Sequence, residues 1–297
     1  MIEICIYSAV IFSFFVYFRY TKKRQLVTSQ CRGVAQISQL KDLISLTQKH
    51  RGMSSALLNG NTQARTDLVK IKQNIKSVQS NLAKPELEIN HVRWDSYIDH
   101  WTRLQKNTTT ITVLENFSQH TKLIENLLYL LEDIAENSAL NGTQLPSLPS
   151  VGFTWRELIQ TSEFVGQCRA IGVGIATMKH CSQVDKIRLA YLQQKLTNTT
   201  EHVLDHLSSV DPYTFEQKQK VELAKKQINQ LNGTISNEFI DASIIVVEPK
   251  VYFEFTSVTM ATLNDIFELQ LRQVLSALNL TKSQQSIVPL NGVSSSV

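Results

Sequence analysis

The feature that most limits the fold is the spacing of apolar residues, which follows a helical period across almost all of residues 26–278. Stretches rich in Asn, Gly, Pro and Thr interrupt this period and mark the helix ends. A short apolar stretch at 243–247 has strand-like composition, but no second strand pattern exists to pair with it. The spacing therefore predicts an all-α fold with helices over residues 26–58, 66–82, from 85 to the break at 107, a fourth ending near 140, 154–180, 184–207, 213–240 and 251–278.

The eight predicted helices divide into two sets of four. A segment rich in Gly, Pro and Ser at 141–152 separates them and is the clearest linker in the chain. Four consecutive helices with short connections are typical of an up-and-down bundle. We therefore predict two packed four-helix bundles, at 25–140 and 153–280 within one helical unit at 25–280. The serine- and glutamine-rich tail at 281–297 is predicted to be disordered.

Residues 4–18 form an apolar, aromatic run that is short for a membrane-spanning helix, since about 20 residues match a bilayer core. Basic side chains that follow the run can extend its reach by snorkelling: Arg19, Lys22, Lys23 and Arg24. This order of charges is the reverse of a secretory signal, and it favours a cytoplasmic position for everything after the run. We predict a single-pass transmembrane anchor at 1–24 in the cell inner membrane; a buried or interfacial helix is the alternative.

Charge and motifs exclude several classes of function. The net charge of +4 is spread along the chain without a dense basic run, which argues against a nucleic-acid partner. The four cysteines lack metal-binding spacing and fit a reducing compartment. No nucleophile elbow, phosphate-binding loop or kinase signature occurs, so we predict neither an enzyme nor a cofactor or metal site.

Arg51 occupies a position in the first helix where an apolar residue is expected. Helical spacing places it on one stripe with Ile37, Leu40 and Ile44 before it. A buried guanidinium needs a carboxylate, carbonyl groups or an anion, because an unpaired buried charge costs several kcal/mol. No acidic residue shares the stripe, and the small residues that follow Arg51 leave room beside the helix.

The second half of the chain repeats this arrangement at Arg169. This arginine lies on a stripe with Leu158, Val165 and Gly172, whose members are again apolar or small. Glycine inside a helix costs about 1 kcal/mol relative to alanine, so Gly172 and Gly174 predict close approach of a backbone or a ligand. Two inward arginines from two halves of one chain suggest one shared anion.

These residues resemble a known family. The segment 43–55 contains a Gln-x-x-Arg-Gly-x-Ser pattern similar to the signature of the nitrate- and nitrite-sensing domain, and the segments at 94–101, 169–172 and 252–263 resemble its later stretches. The resemblance spans residues 35–275. It implies two packed four-helix bundles that hold nitrate or nitrite between arginines at their interface.

The resemblance assigns Arg51 and Arg169 as ligands of the anion. It makes their neighbours in the motifs candidate contacts: Gln48, His50, Ser54, Ser55 and Gly172. Where family members can carry two basic residues before the glycine, this chain has His50 followed by Arg51.

The sequence thus predicts a membrane-anchored, non-catalytic sensor that binds nitrate or nitrite. No output region fits in the roughly 20 residues after the last predicted helix, so signalling is expected to pass through a partner protein or a homodimer. Anion binding would draw the Arg51 and Arg169 helices together. The alternatives are a helical scaffold that keeps the fold without binding an anion, and an envelope-side receptor for another small anion.

Overall fold

The computed structural model describes residues 2–107, 110–149, 151–205, 207 and 214–278, which are helical almost throughout. Within these ranges the α-helices are α1 Ile2–Leu58, α2 Ala64–Leu82, α3 Val92–Asn107, α4 Val113–Asn137, α5 Val151–Met178, α6 Gln183–Thr199, α7 Phe215–Ile235 and α8 Pro249–Ala277. Short π-helical turns extend α6 at Thr200–Leu204 and α7 at Ser236–Ile240. No described residue belongs to a strand, the stretch 243–247 included, and the all-α prediction is confirmed.

The helices pack in two sets that touch along one side. In the first set, α1 packs against α2 and α4, and α3 packs against α4. In the second, α5 packs against α6 and α8, and α7 packs against the same two helices. The sets meet where α5 contacts α1 and α4 and where α8 contacts α1. This contact brings the two arginine-bearing helices, α1 and α5, side by side.

Helix α1 is longer than the predicted 26–58 and continues without a break through the expected boundary at residues 24 and 25. Its large apolar side chains between residues 10 and 20 are exposed. Among the described residues, no helix combines the length and the apolar character that a membrane crossing requires. The predicted transmembrane anchor at 1–24 is therefore not supported.

The predicted end of α1 is confirmed. Gly60 adopts a positive φ of 95°, which a residue without Cβ reaches at little cost. The Asn61 amide then donates to the Ala56 carbonyl at 3.0 Å, and the Gly60 amide donates to Leu57. These are the closing bonds of a glycine C-cap.

The predicted start of α3 near Pro85 is wrong, because the helix begins at Val92. The preceding residues form a loop whose carbonyls point at α1. Arg32 donates to the carbonyls of Pro85 and Glu88, and Gln36 donates to that of Leu87 and also to Glu88. These carbonyls accept bonds from α1 side chains instead of from a helical turn, so this stretch remains a loop.

The connection between the two sets runs from the end of α4 to the start of α5, so Gly152 of the predicted linker already belongs to α5. Leu140 and Leu145 are buried within this connection and tie it to the core. The predicted disordered tail at 281–297 lies outside the described residues.

Candidate functional site

Arg51 is buried, with 1% of its surface exposed, which confirms that it points inward. Its partner is Glu163 of α5, and the two side chains pair in a fork: Arg51 Nη1 donates to Oε1 at 2.6 Å and Nη2 donates to Oε2 at 3.1 Å. Nη1 also lies 3.2 Å from the hydroxyl oxygen of Thr121, and the guanidinium carbon lies 5.4 Å from the centre of the Phe117 ring. No acidic residue shares the stripe of Arg51 on α1, and its carboxylate partner comes from α5 instead.

Glu163 is as buried as its partner, with 2% of its surface exposed. Besides the two bonds from Arg51, Oε2 accepts a bond from Gln48 Nε2 at 2.9 Å, and Oε1 accepts one from Gln167 Nε2 at 2.9 Å. Four donors therefore converge on one carboxylate. A buried ion pair is stable only when such additional bonds satisfy its charged atoms, and this pair meets that condition.

Arg169 is partly buried, and its environment differs from that of Arg51. Its Nη1 donates to the Ser257 hydroxyl at 2.8 Å, and its guanidinium carbon lies 5.0 Å from the centre of the Phe253 ring. Among the described residues, no carboxylate lies within ion-pair distance of this guanidinium. Burial and the nearby Arg51 charge lower the pKa of Arg169 to about 10, while Glu163 acts in the opposite direction. Arg169 therefore keeps its charge at neutral pH without a paired anion.

Arg169 is close enough to the Arg51–Glu163 pair for both of their charges to shift its pKa, so the three side chains form a cluster with two positive charges and one negative charge. Gly166 allows the close packing of α1 against α5 at this point, because a Cβ there would lie 3.1 Å from Arg51 Nη2 and 3.3 Å from Met260 Cε. Phe253, beside Arg169, is 38% exposed, so Arg169 lies between the buried pair and the surface. One monovalent anion would neutralise the cluster.

His50 faces the interior of the first set of helices instead of the cluster. Its Nδ1 lies 2.8 Å from His120 Nε2, and His120 Nδ1 lies 2.7 Å from the Asn116 carbonyl, which can only accept. His120 therefore donates to Asn116 and accepts from His50, which leaves His50 Nε2 as a buried acceptor with no partner among the residues that the structure describes. Burial holds the pKa of His50 at about 2 and that of His120 at about 3, so both are neutral.

Ser54 and Ser55 belong to the same buried network as His50. The Ser54 hydroxyl lies 2.7 Å from the His50 carbonyl and 2.9 Å from Asn116 Oδ1, while Asn116 Nδ2 donates to Ser55 Oγ at 2.9 Å. Among the candidate contacts predicted around Arg51, Gln48 is the one whose described side chain bonds to the arginine cluster, by its hydrogen bond to Glu163. His50, Ser54 and Ser55 instead fix α1 against α4.

Gly172 is explained by a side chain of α8. A Cβ on Gly172 would lie 2.3 Å from Tyr252 Cε1, and the Tyr252 hydroxyl donates to the Cys168 carbonyl at 3.2 Å. The close approach predicted from this glycine exists, but the approaching group is Tyr252 and not a ligand. Around Gly174, by contrast, no atom of the described part of the chain lies within 4 Å of such a Cβ.

Sequence reasoning missed Glu163, the central residue of the cluster. One signal was present: Glu163 follows Ile159 by four residues and precedes Gly166 by three, a spacing that places a carboxylate on the buried face of α5. Gln167, one turn later, is its neighbour on the same face. Arg51 on α1 and Glu163 on α5 both fall at positions where the helical spacing predicts burial. Two opposite charges at buried positions were the available indication of an ion pair.

Comparison with known proteins gives one informative match. No family model matches the chain, and no curated protein matches it. A solved structure, that of the NasR transcription antiterminator, superimposes with a TM-score of 0.66 over 94% of this chain and 77% of that chain, at 15% sequence identity. This likeness shows the fold alone.

Proposed function

We propose that this protein is a sensor that binds a small, planar, monovalent oxyanion, nitrate or nitrite, at the cluster of Arg51, Glu163 and Arg169. The observation that carries the proposal is the guanidinium of Arg169, which is partly buried and has no carboxylate partner among the described residues. A buried charge of this kind is costly unless a counter-ion joins it.

The chemistry of the cluster supports an oxyanion over a halide. A guanidinium presents paired donors in one plane, which match two oxygens of a planar anion and give short, charge-assisted bonds. The Gln-x-x-Arg-Gly-x-Ser pattern around Arg51, which resembles the nitrate- and nitrite-sensing family, favours nitrate or nitrite within this class. The likeness of the fold to a transcription antiterminator is compatible with a regulatory role.

Binding can act on the contact between the two sets of helices. Arg51 lies on α1 and Arg169 on α5, so an anion that contacts both arginines favours the arrangement of these helices in which it reaches both guanidinium groups. Helix α1 continues for 57 residues from Ile2 to Leu58 and can transmit such a change along its length. We propose that the output passes to a partner protein or a second copy of the chain. The sequence-based expectation that nucleic acid is not a partner stays a prediction. The structural neighbour is named as a transcription antiterminator, which argues against this expectation.

Thermal unfolding of the full chain tests the proposal. Sodium nitrate, sodium nitrite and sodium chloride are titrated at matched ionic strength into the parent and into Arg169→Ala. Ligand at 100 times its Kd stabilises a folded protein by about 2.7 kcal/mol, so we expect a clear rise in Tm with nitrate or nitrite and none with chloride. Arg169→Ala should remove the rise.

Arg156→Ala is the matched control for this experiment. Arg156 lies on the same helix α5, but it pairs with Glu132 and Glu157 near the surface and should leave the anion response intact. If no anion shifts the Tm of the parent, the sensor proposal is wrong.

The competing function is a helical scaffold that binds no anion. One observation favours it: the carboxylate of Glu163 already satisfies Arg51 without any ligand. A scaffold would show the same Tm in nitrate and in chloride, and the two values would also be equal to each other in Arg169→Ala.

A further inference from the structure

We propose that Glu163 is an internal competitor of the anion: its carboxylate occupies the fork of Arg51 as a built-in oxyanion, and a ligand reaches Arg51 only by displacing it. This inference rests on the proposed function and adds how the site is regulated. It makes the ion pair a latch that closes α1 onto α5 in the absence of ligand.

The donors around Glu163 are those that a free oxyanion would need. Arg51 contributes two of them, and Gln48 and Gln167 contribute one each. All four converge on a planar group of two oxygens joined through one atom. Nitrite and nitrate present the same planar pair of oxygens, so either anion can accept bonds from this set of donors.

The donors come from two different helices, so competition for them changes how α1 is held to α5. Gln48 and Arg51 belong to α1, whereas Glu163 and Gln167 belong to α5. The buried carboxylate of Glu163 on α5 therefore holds α1 in place by accepting hydrogen bonds from two side chains of α1. An anion that takes over the donors of α1 breaks these hydrogen bonds to Glu163 and replaces its side chain with a ligand that can dissociate.

Arg169 supplies the charge that this exchange needs. The formal charges of Arg51, Arg169 and Glu163 sum to +1, so one incoming monovalent anion brings the sum to zero. Arg169 is also the more exposed of the two arginines, so an anion from solvent meets it before it meets Arg51. Arg169 thus acts as the entry site and Arg51 as the contested site.

Titration calorimetry of the full chain with sodium nitrate, sodium nitrite and sodium formate measures the competition directly. Glu163→Gln keeps the shape of the side chain but removes its charge and one acceptor, and Glu163→Ala removes the competing group entirely. We expect both variants to bind nitrate at least tenfold more tightly than the parent. Formate, a free carboxylate, should bind to Glu163→Ala as well.

Glu157→Gln is the matched control, because Glu157 lies on the same helix and pairs with Arg156 near the surface. It should leave the nitrate affinity unchanged. Adding Arg51→Ala to Glu163→Ala should abolish the gain in affinity, which assigns the gain to the Arg51 fork.

The outcomes separate this inference from the proposed function. If the parent binds nitrate and the Glu163 variants bind it equally or more weakly, competition is wrong while the anion sensor stands. If neither the parent nor any folded Glu163 variant binds nitrate or nitrite, the sensor proposal itself fails. Binding by the variants alone shows that Glu163 closes the site in the parent, which supports competition but contradicts the proposal that the parent senses nitrate or nitrite.

Discussion

The neighbourhoods of Arg51 and Arg169 share one sequence pattern but differ in structure. Both arginines interrupt an apolar stripe of a long helix and are followed by small residues. Arg51 is fully buried and receives its counter-charge from Glu163, whereas Arg169 is partly exposed and contacts a hydroxyl and an aromatic ring. The same local pattern therefore gives a buried ion pair at Arg51 and, at Arg169, a cation without a carboxylate partner among the described residues.

This difference shows that an inward arginine is not by itself an anion site. What decides its role is whether the neighbouring helix offers a carboxylate at the same depth, as α5 does for Arg51. A guanidinium saturated by the protein stabilises the contact between helices, and a guanidinium left open is available to a ligand. The following predictions test this distinction, from the largest expected effect to the smallest.

Loss of Arg51 should be the most damaging change. Arg51→Ala leaves Glu163 buried without its counter-charge, and breaking a buried pair in this way costs about 3–5 kcal/mol. The free energy of unfolding measured in urea should fall by this amount. The double variant Arg51→Met with Glu163→Leu removes both charges and should recover most of the loss. A double variant no more stable than Arg51→Ala would show that the charges are not the cause.

Acid should lower the free energy of unfolding through His50 and His120, the buried histidine pair next to Arg51. The pKa values of His50 and His120 are lowered to about 2 and about 3 in the folded protein, so their contribution to stability is complete above their unfolded pKa of about 6.5 and is lost as the pH falls below it. Over the two pH units centred on the unfolded pKa, each histidine loses about 1.4 kcal/mol in total, so the pair should cost roughly 2.5–3 kcal/mol between pH 7.5 and pH 5.5.

Urea unfolding at a series of pH values measures this slope. His120→Gln should flatten it, whereas the control His180→Gln should not, because His180 is exposed. An equal slope in the parent and in His120→Gln would contradict the neutral histidine pair.

The glycines near Arg169 should respond in opposite directions to substitution by alanine. Gly172→Ala places a methyl group against the Tyr252 ring, and overpacking of this kind costs about 1–3 kcal/mol. In Gly174→Ala the new methyl group meets no described atom within 4 Å, so the change should stabilise α5 by up to about 1 kcal/mol. Thermal unfolding of the two variants checks both signs, and equal effects would show that Tyr252 does not set the requirement for glycine.

Much of the fold could be predicted from sequence because periodicity is a local property. The end of α1 at Leu58, set by Gly60, follows directly from residue types. The start of α3 could not be predicted from Pro85, since the loop before Val92 is held by side chains of α1 that are distant in sequence.

The inward direction of Arg51 was predictable for the same local reason, but its partner was not. Glu163 lies 112 residues away, and only the packing of α5 on α1 brings the two together. Adjacent residues of a helix also point in different directions, which is why His50 belongs to the network with α4 although it precedes Arg51 directly. A sequence motif identifies a region, and tertiary contacts decide which of its residues share a site.

Replacement of Arg169 should have the smallest effect on stability, which sets it apart from Arg51. Arg169→Met removes the hydrogen bond to Ser257 and the contact with Phe253, each worth about 0.5–1.5 kcal/mol, but it also removes a partly buried charge that has no carboxylate partner. These terms oppose each other, so the free energy of unfolding without nitrate or nitrite should change by less than about 1 kcal/mol. Urea unfolding in chloride buffer measures this change. A loss as large as that of Arg51→Ala would mean that the protein itself satisfies Arg169, and the open cation on which anion binding depends would not exist.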